Sequence, residues 1–370
     1  MLCNDDFGAQ GGDPRRGVGI DLSTCVNFYG PPPAVREVLR TGIDRQDLQI
    51  HPYSACERME ATYARHLGVP ASQLVAGRGT TEFIWALSRQ VPHASVAVPL
   101  PGYTDYLKAF PGRGFAGDQV PSVEHVDAAL AAASLVIISN PHNPSGVTLD
   151  PAELVAVARR HPSKILVVDE SYVDFVPDPG GASVVGTDAA NIVVLRSPSK
   201  FWGIAATRVG VAWCPDRERL CTLLGQRETW PISGLDVTVA EAAMASVAWA
   251  ERSRRDLARD AAWLAEVLRE LPGRLVEQDV GVHYRCLITE RADDLAAAMA
   301  AHGVGARALG RAHGAEPGML RVLAPLPHQR DVVVRAVHAA AVRASTTRRP
   351  APSRPVSARQ PAGGRSLSTA

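Results

Sequence analysis

Ile192-Val193-Val194-Leu195 is an unbroken apolar run, and Arg196-Ser197-Pro198-Ser199-Lys200-Phe201-Trp202-Gly203 follows it directly. Four branched apolar residues closed off by polar turn residues read as a strand buried on both faces. Two small hydroxyls and a lysine therefore stand just past a strand end, and Arg208 follows eight residues after the lysine. Hydroxyls beside a cationic side chain suit a phosphate, because charge-assisted hydrogen bonds to phosphate are strong. Only three lysines (Lys108, Lys164 and Lys200) occur among the 39 basic residues. Chemistry that needs a primary amine, such as a Schiff base with an aldehyde, thus has three candidates.

Working outward, the pattern repeats. Leu74-Val75-Ala76 leads into Gly77-Arg78-Gly79-Thr80-Thr81-Glu82 and a helix expected over Phe83–Gln90. Such a strand, Gly-rich turn and helix can aim backbone N–H groups at an anion, although Thr80 or Thr81 could equally be a simple helix cap. Strands are expected at Ser95–Pro99, Leu135–Ser139, Lys164–Asp169 and Asn191–Leu195. Helices are expected at Cys56–Leu67, Tyr103–Phe110 and Pro151–His161, the last capped by Asp150. Alternation of helices with uniformly apolar strands predicts a three-layer α/β/α fold on a mainly parallel sheet, with ligands beyond the C-terminal strand ends. After Pro231 one long Ala-rich helix is expected over Val237–Leu271. A small α+β unit follows, with strands His283–Ile288 and Leu320–Leu323 and helices Asp293–His302 and Arg330–Val342.

Composition narrows the function classes. At 370 residues the chain suits about two domains, and 46% hydrophobic with 21% charged residues describes a globular protein. The formal charge is +1, so there is no electrostatic case for nucleic acid or membrane. Residues 345–370 hold five arginines and no acid, leaving 34 basic against 38 acidic residues elsewhere. The six cysteines show no metal-type spacing, and no secretory or membrane-spanning run is present. A cytoplasmic protein with reduced thiols and no metal is the expectation.

Three separated motifs occur in a fixed order: Asn140-Pro141-His142-Asn143-Pro144-Ser145-Gly146, Asp169-Glu170-Ser171-Tyr172, and Ser197-Pro198-Ser199-Lys200 with Arg208. Together they resemble the fold-type-I pyridoxal 5'-phosphate (PLP) aminotransferases, in the branch that holds histidinol-phosphate aminotransferases and threonine-phosphate decarboxylases. The resemblance covers residues 20–343. It implies an N-terminal arm (1–35), a large PLP-binding domain (36–235), a small C-terminal domain (236–343) and a disordered tail (344–370). In its terms Lys200 binds the PLP aldehyde and then moves a proton as general base and acid. Asp169 pairs with the pyridine nitrogen, Asn143 and Tyr172 donate to the ring oxygen, and Tyr103 stacks on the ring. Gly79, Thr80, Thr81, Ser197, Ser199 and Arg208 hold the phosphate. Arg321 grips the substrate α-carboxylate, since an arginine on an apolar strand needs an anionic partner. Arg307 takes a distal phosphate or pairs with a carboxylate nearby. Tyr29 and Gly30 belong to an N-terminal turn that closes over the substrate, with Gly30 offering its N–H. The family works as a homodimer on amino acids and 2-oxo acids.

The sequence also departs from that family. Arg78 stands where asparagine is usual. A Tyr-Pro motif that reaches the neighbouring subunit's phosphate appears as His51-Pro52-Tyr53, so His51 or Tyr53 could serve. Leu323-Ala324-Pro325 replaces the usual continuation after Arg321. An intact cofactor set with a drifted substrate set implies an aminotransferase of specialised amino-acid biosynthesis, of the kind that makes the arginine-derived cyclic guanidino amino acid enduracididine for an antibiotic. A cationic substrate would call for an acid or aromatic near the arm, and Asp5, Asp6, Glu82 and Tyr29 are the candidates. Histidinol-phosphate transamination, decarboxylation of an O-phospho amino acid and a non-enzymatic regulator are the alternatives.

Overall fold

The structure, a computed structural model, describes residues 17–43, 49–116, 120–279 and 281–346. Asp5, Asp6, the first 16 residues of the arm and nearly all of the arginine-rich tail lie outside these residues. Seven strands form the main sheet. In space they run Leu74–Gly77, Gly210–Trp213, Ile192–Arg196, Ile165–Asp169, Leu135–Ser139, Val96–Leu100 and Gly114–Ala116. All neighbours are parallel except Gly210–Trp213, which is antiparallel to both of its partners. The expected mainly parallel sheet is present.

Alternate residues of the central strands explain the three layers. Val136, Ile138, Leu166, Val168, Ile192 and Val194 pack on one face, with the helices Ala55–Leu67, Val123–Ala132 and Pro151–Arg160. Leu135, Ile137, Val167, Val193 and Leu195 pack on the other, with Gly79–Gln90, Thr104–Ala109 and Arg217–Leu224. Burying each branched side chain in this way contributes about 1.5–3 kcal/mol, which is why the strands read as continuous apolar runs. Parallel pairing places Ser139 beside Asp169 and Asp169 beside Leu195, so three strand C-termini open on one edge. Behind that edge Arg196 is buried between Glu170 and Asp174, at 2.8 Å from each.

A second, antiparallel sheet of four strands (Arg307–Leu309, Met319–Leu323, Tyr284–Ile288 and Arg274–Leu275) carries Arg307 and Arg321 at paired positions. The N-terminal segment joins the two parts. Ile20–Asp21 pairs with Val304–Gly305, and Leu22 O accepts from Leu323 N. Five residues on, Asn27 N–H donates to Lys200 O at 2.9 Å.

Three expectations need correction. The single helix expected over Val237–Leu271 is two, Gly234–Met244 and Val247–Leu268. Ser246 sits at the break and donates its hydroxyl to Ala242 O, a local side-chain bond that competes with the helical ladder. The last helix runs to Thr346, four residues beyond the expected end, with Ala344 still buried, so residues 344–346 are not part of a disordered tail. The helix expected to begin at Phe83 starts at Gly79, so the Gly-Thr-Thr residues form its first turn. No helix of the described residues is long and apolar enough to cross a membrane.

Candidate active site

Asp169 is the last residue of its strand and is 4% exposed. Ser171, two residues on, folds back so that its N–H (2.9 Å) and hydroxyl (2.5 Å) donate to Asp169 Oδ1. An Asp side chain at a strand end readily accepts from the backbone N–H two residues on, which makes this turn. Tyr106, from the helix Thr104–Ala109, donates its hydroxyl to Asp169 Oδ2 at 2.7 Å. Ser171 Oγ also lies 3.4 Å from Thr80 Oγ1, which ties Asp169 to the first turn of Gly79–Gln90.

That first turn is one wall of an anion cradle. Gly79 has φ +72°, and a Cβ there would stand 3.0 Å from the Arg208 guanidinium, so only glycine lets the arginine lie against the turn. The N–H groups of a first helical turn have no partner within the helix. Across from it, Ser197 Oγ is 2.9 Å from Ser199 Oγ and donates to Val209 O at 2.8 Å. Thr81 Oγ1 is 3.5 Å from the Tyr103 hydroxyl, and the Tyr103 ring meets Tyr106 edge-on at 5.5 Å. Gly79, Thr80, Thr81, Tyr103, Ser197, Ser199 and Arg208 are thus brought to one place.

Lys200 follows this cradle, with Nζ 4.5 Å from the centre of the Tyr172 ring. Burial pulls its amine below the ordinary lysine value; Asp169 opposes, while Arg321 and Arg208 add to the lowering. A fall in that direction favours the neutral, nucleophilic amine. Tyr172 is pushed well above the ordinary phenol value, mainly by burial, and stays a proton donor. Lys108 and Lys164 stand elsewhere, on the helix Thr104–Ala109 and just before the strand Ile165–Asp169.

Arg321 is buried on its strand and reaches Asn143 Oδ1 at 2.5 Å and Ser23 O at 3.0 Å. Both are neutral oxygens, and no carboxylate among the described residues pairs with the guanidinium. Because Asn143 presents its oxygen to Arg321, its Nδ2 is turned away and left to donate. Arg307 is buried too, with a guanidinium nitrogen 3.3 Å from Nε2 of the buried His313.

Two N-terminal residues behave differently from expectation. Tyr29 donates its hydroxyl to the buried Asp260 at 2.6 Å, an oxygen pair shared with Arg330. Gly30 N–H is taken by Asn27 O at 3.3 Å, so it is not offered to a substrate in this conformation. Gly30 instead packs on the residues after Lys200: a Cβ there would come within 2.7 Å of Trp202 O. His51 stacks on Trp230 at 4.1 Å and Tyr53 meets the same ring edge-on at 5.6 Å, both on the surface.

The chain matches the family model for aminotransferase class I and II over residues 18–337. It belongs to that family. Histidinol-phosphate aminotransferase from Paracoccus denitrificans is 30% identical over 260 residues, covering 68% of this chain and 70% of the relative. Threonine-phosphate decarboxylase from Salmonella typhimurium is 27% identical over 264 residues, with 68% and 72% covered. Among solved structures, histidinol-phosphate aminotransferase from Sinorhizobium meliloti in complex with PLP shares the fold at a TM-score of 0.78. It is 19% identical and covers 90% of this chain and 93% of its own.

The aminotransferase is a PLP-dependent enzyme of the histidinol-phosphate aminotransferase and threonine-phosphate decarboxylase branch. Its donor set fits the cofactor. An amine shifted toward its neutral form, a buried carboxylate, an amide with its donor side free and a helix N-terminus facing an arginine and two serines match the aldehyde, ring nitrogen, ring oxygen and phosphate in turn.

Sequence reasoning missed Tyr106 and gave no role of their own to Ser171 and Asn27, which stand in stretches it singled out. Tyr106 was open to discovery, since it lies three residues after Tyr103, the spacing that puts two side chains on one helix face. Asn27 was not, because its partners are Lys200 O and Phe201 O, distant in the chain.

Proposed function

We propose that this PLP-dependent aminotransferase exchanges an amino group between an α-amino acid and a 2-oxo acid, gripping the α-carboxylate with Arg321. The observation that carries this reading is the buried Arg321 guanidinium, whose partners are two neutral oxygens beside Lys200's side of the cleft. A buried cation without a counter-charge is costly, and a substrate carboxylate removes that cost while taking a bidentate bond.

When bound, PLP supplies an aldehyde for the amine and a ring that draws electrons from the substrate α-carbon. The chain's residues do the rest. Asp169 would hold the proton on the ring nitrogen, and the Asn143 amide with the Tyr172 hydroxyl would donate to the ring oxygen. Lys200 Nζ would take the proton from the substrate α-carbon, a role that its burial-lowered proton affinity favours. The first turn at Gly79-Thr80-Thr81, with Ser197, Ser199 and Arg208, would hold the cofactor's phosphate. Residues 36–235 would carry the cofactor and 236–343 the substrate carboxylate. The working form would be a cytoplasmic homodimer in which the exposed Tyr53, or His51, reaches the neighbouring cofactor phosphate.

For the pathway we propose specialised amino-acid biosynthesis of the enduracididine type, supported by the drift at Asn27–Gly30, at residue 51 and after Arg321. Of the acids named for a guanidino substrate, Glu82 pairs with Arg227 at 2.7 Å, while Asp5 and Asp6 lie outside the described residues. A specific observation favours a second reading, a substrate with a distal phosphate of the histidinol-phosphate kind: Arg307 and His313 are buried together. An amino-donor screen followed through the cofactor spectrum tests both. Transamination converts the cofactor stoichiometrically to its amine form. Release of carbon dioxide without that conversion would make the enzyme a decarboxylase instead.

A further inference from the structure

The surroundings of Asp169 assign a role to a tyrosine outside the motifs. A carboxylate offers about four hydrogen-bond sites on its two oxygens. Ser171 N–H and Oγ fill two at Oδ1, and the Tyr106 hydroxyl fills one at Oδ2. One site on Oδ2 is left. Tyr106 is fully buried among Phe83, Leu87, Val98 and Phe110, with its hydroxyl directed at the carboxylate 63 residues away. Its backbone is fixed as well, because Tyr106 N–H donates to Tyr103 O and Tyr106 O accepts from Phe110 N. Lys200 and Tyr103 also face Asp169, from their own elements.

We propose that Tyr106 is a positioning residue for the cofactor's ring nitrogen: its hydroxyl fixes Asp169 Oδ2 and limits how strongly that carboxylate holds the ring proton. The proposal rests on the reading that Asp169 meets the ring nitrogen. Its physical basis is competition. Each hydrogen bond donated to a carboxylate stabilises the charged form and lowers its attraction for a further proton. A carboxylate holding the ring proton with less than its full strength leaves that proton able to respond as charge builds on the ring. The hydroxyl also stops the carboxyl group from rotating, so that its one remaining site points into the cleft.

The test uses the holoenzyme loaded with PLP labelled with nitrogen-15 in the ring, whose resonance reports whether the ring nitrogen carries a proton. Tyr106→Phe keeps the volume and removes only the hydroxyl. It should move the titration of the ring nitrogen upward by about one pH unit, roughly tenfold in proton affinity, as expected for one bond to a charged group. Site-specific replacement of Tyr106 by 3-fluorotyrosine makes the hydroxyl a stronger donor and should move the titration downward, a readout that survives if the phenylalanine variant folds poorly. Tyr63→Phe is the control, since the Tyr63 hydroxyl is buried without a partner; it should leave the resonance unmoved. If Tyr106→Phe and the fluorinated chain titrate like the wild type while Asp169→Asn shifts, Tyr106 is packing only and the proposal is overturned. If Asp169→Asn also leaves the resonance unmoved, the assignment of Asp169 itself fails.

Discussion

Replacing Arg321 by alanine separates carboxylate binding from everything else the site does. The guanidinium is buried, with one hydrogen bond to Asn143 Oδ1 and one to Ser23 O. Truncating one partner of a buried, hydrogen-bonded charge pair costs about 2–5 kcal/mol. At about 1.4 kcal/mol per factor of ten, kcat/KM for an α-amino acid should fall roughly 30- to 5,000-fold. The carboxylate is held equally before and during reaction at the α-carbon, so the loss should appear chiefly in KM. On the protein side, Asn143 Oδ1 and Ser23 O lose their donor, at about 1–3 kcal/mol each, while a buried unpaired charge is relieved in the opposite direction. Stability should therefore change little, and cofactor absorbance should persist. The assay compares an α-amino acid with a primary amine of similar shape that lacks the carboxylate. The amine should react with the variant and the wild type at similar rates. An equal fall for both donors would refute the reasoning, because Arg321 would then be acting on the protein rather than on the carboxylate.

Other predictions address the remaining parts of the site. Lys200→Ala should lose the visible cofactor band and all turnover; turnover that persists would sink the lysine assignment. Buried His142 and His283 titrate at about 4 and about 3, well below the ordinary 6.5, chiefly because burial disfavours their charged forms. Above pH 6.5 both are neutral whether folded or not, and they contribute no pH dependence. Below it the unfolded chain binds the two protons first, so the fold should lose about 1.4 kcal/mol per histidine for each pH unit down to their folded values. Denaturant midpoints between pH 6.5 and 4.5 measure this, and His283→Gln should reduce the slope by about one proton. Asn27→Asp keeps an acceptor for Tyr29 N–H but sets an oxygen against Phe201 O, which now accepts from Asn27 Nδ2 at 2.8 Å. It should cost about 2 kcal/mol and speed amide exchange around Lys200–Ile204; exchange at the wild-type rate would show that the N-terminal segment does not hold the lysine loop.

What the sequence determined by itself was local and periodic. Val136, Val167 and Val193 lie in short runs apolar at every position, rich in β-branched residues and closed by turn residues, which favours strands covered on both faces, so the sheet and its ligand-bearing edge followed from pattern. Lys200, Asp169, Ser197 and Ser199 sit within a few residues of those strand ends, and their placement came with the strands. Tertiary structure decided the pairings that cross the chain. Tyr106 meets Asp169, Tyr29 gives its hydroxyl to Asp260 across 231 residues, and Arg321 finds Asn143 across 178. The division of the long helix at Ser246 belongs with these, since the Ala-rich run alone favours continuing. Periodicity records which face of an element is buried. It does not record which polar group of a distant element is buried beside it, and that choice is made only when the faces pack.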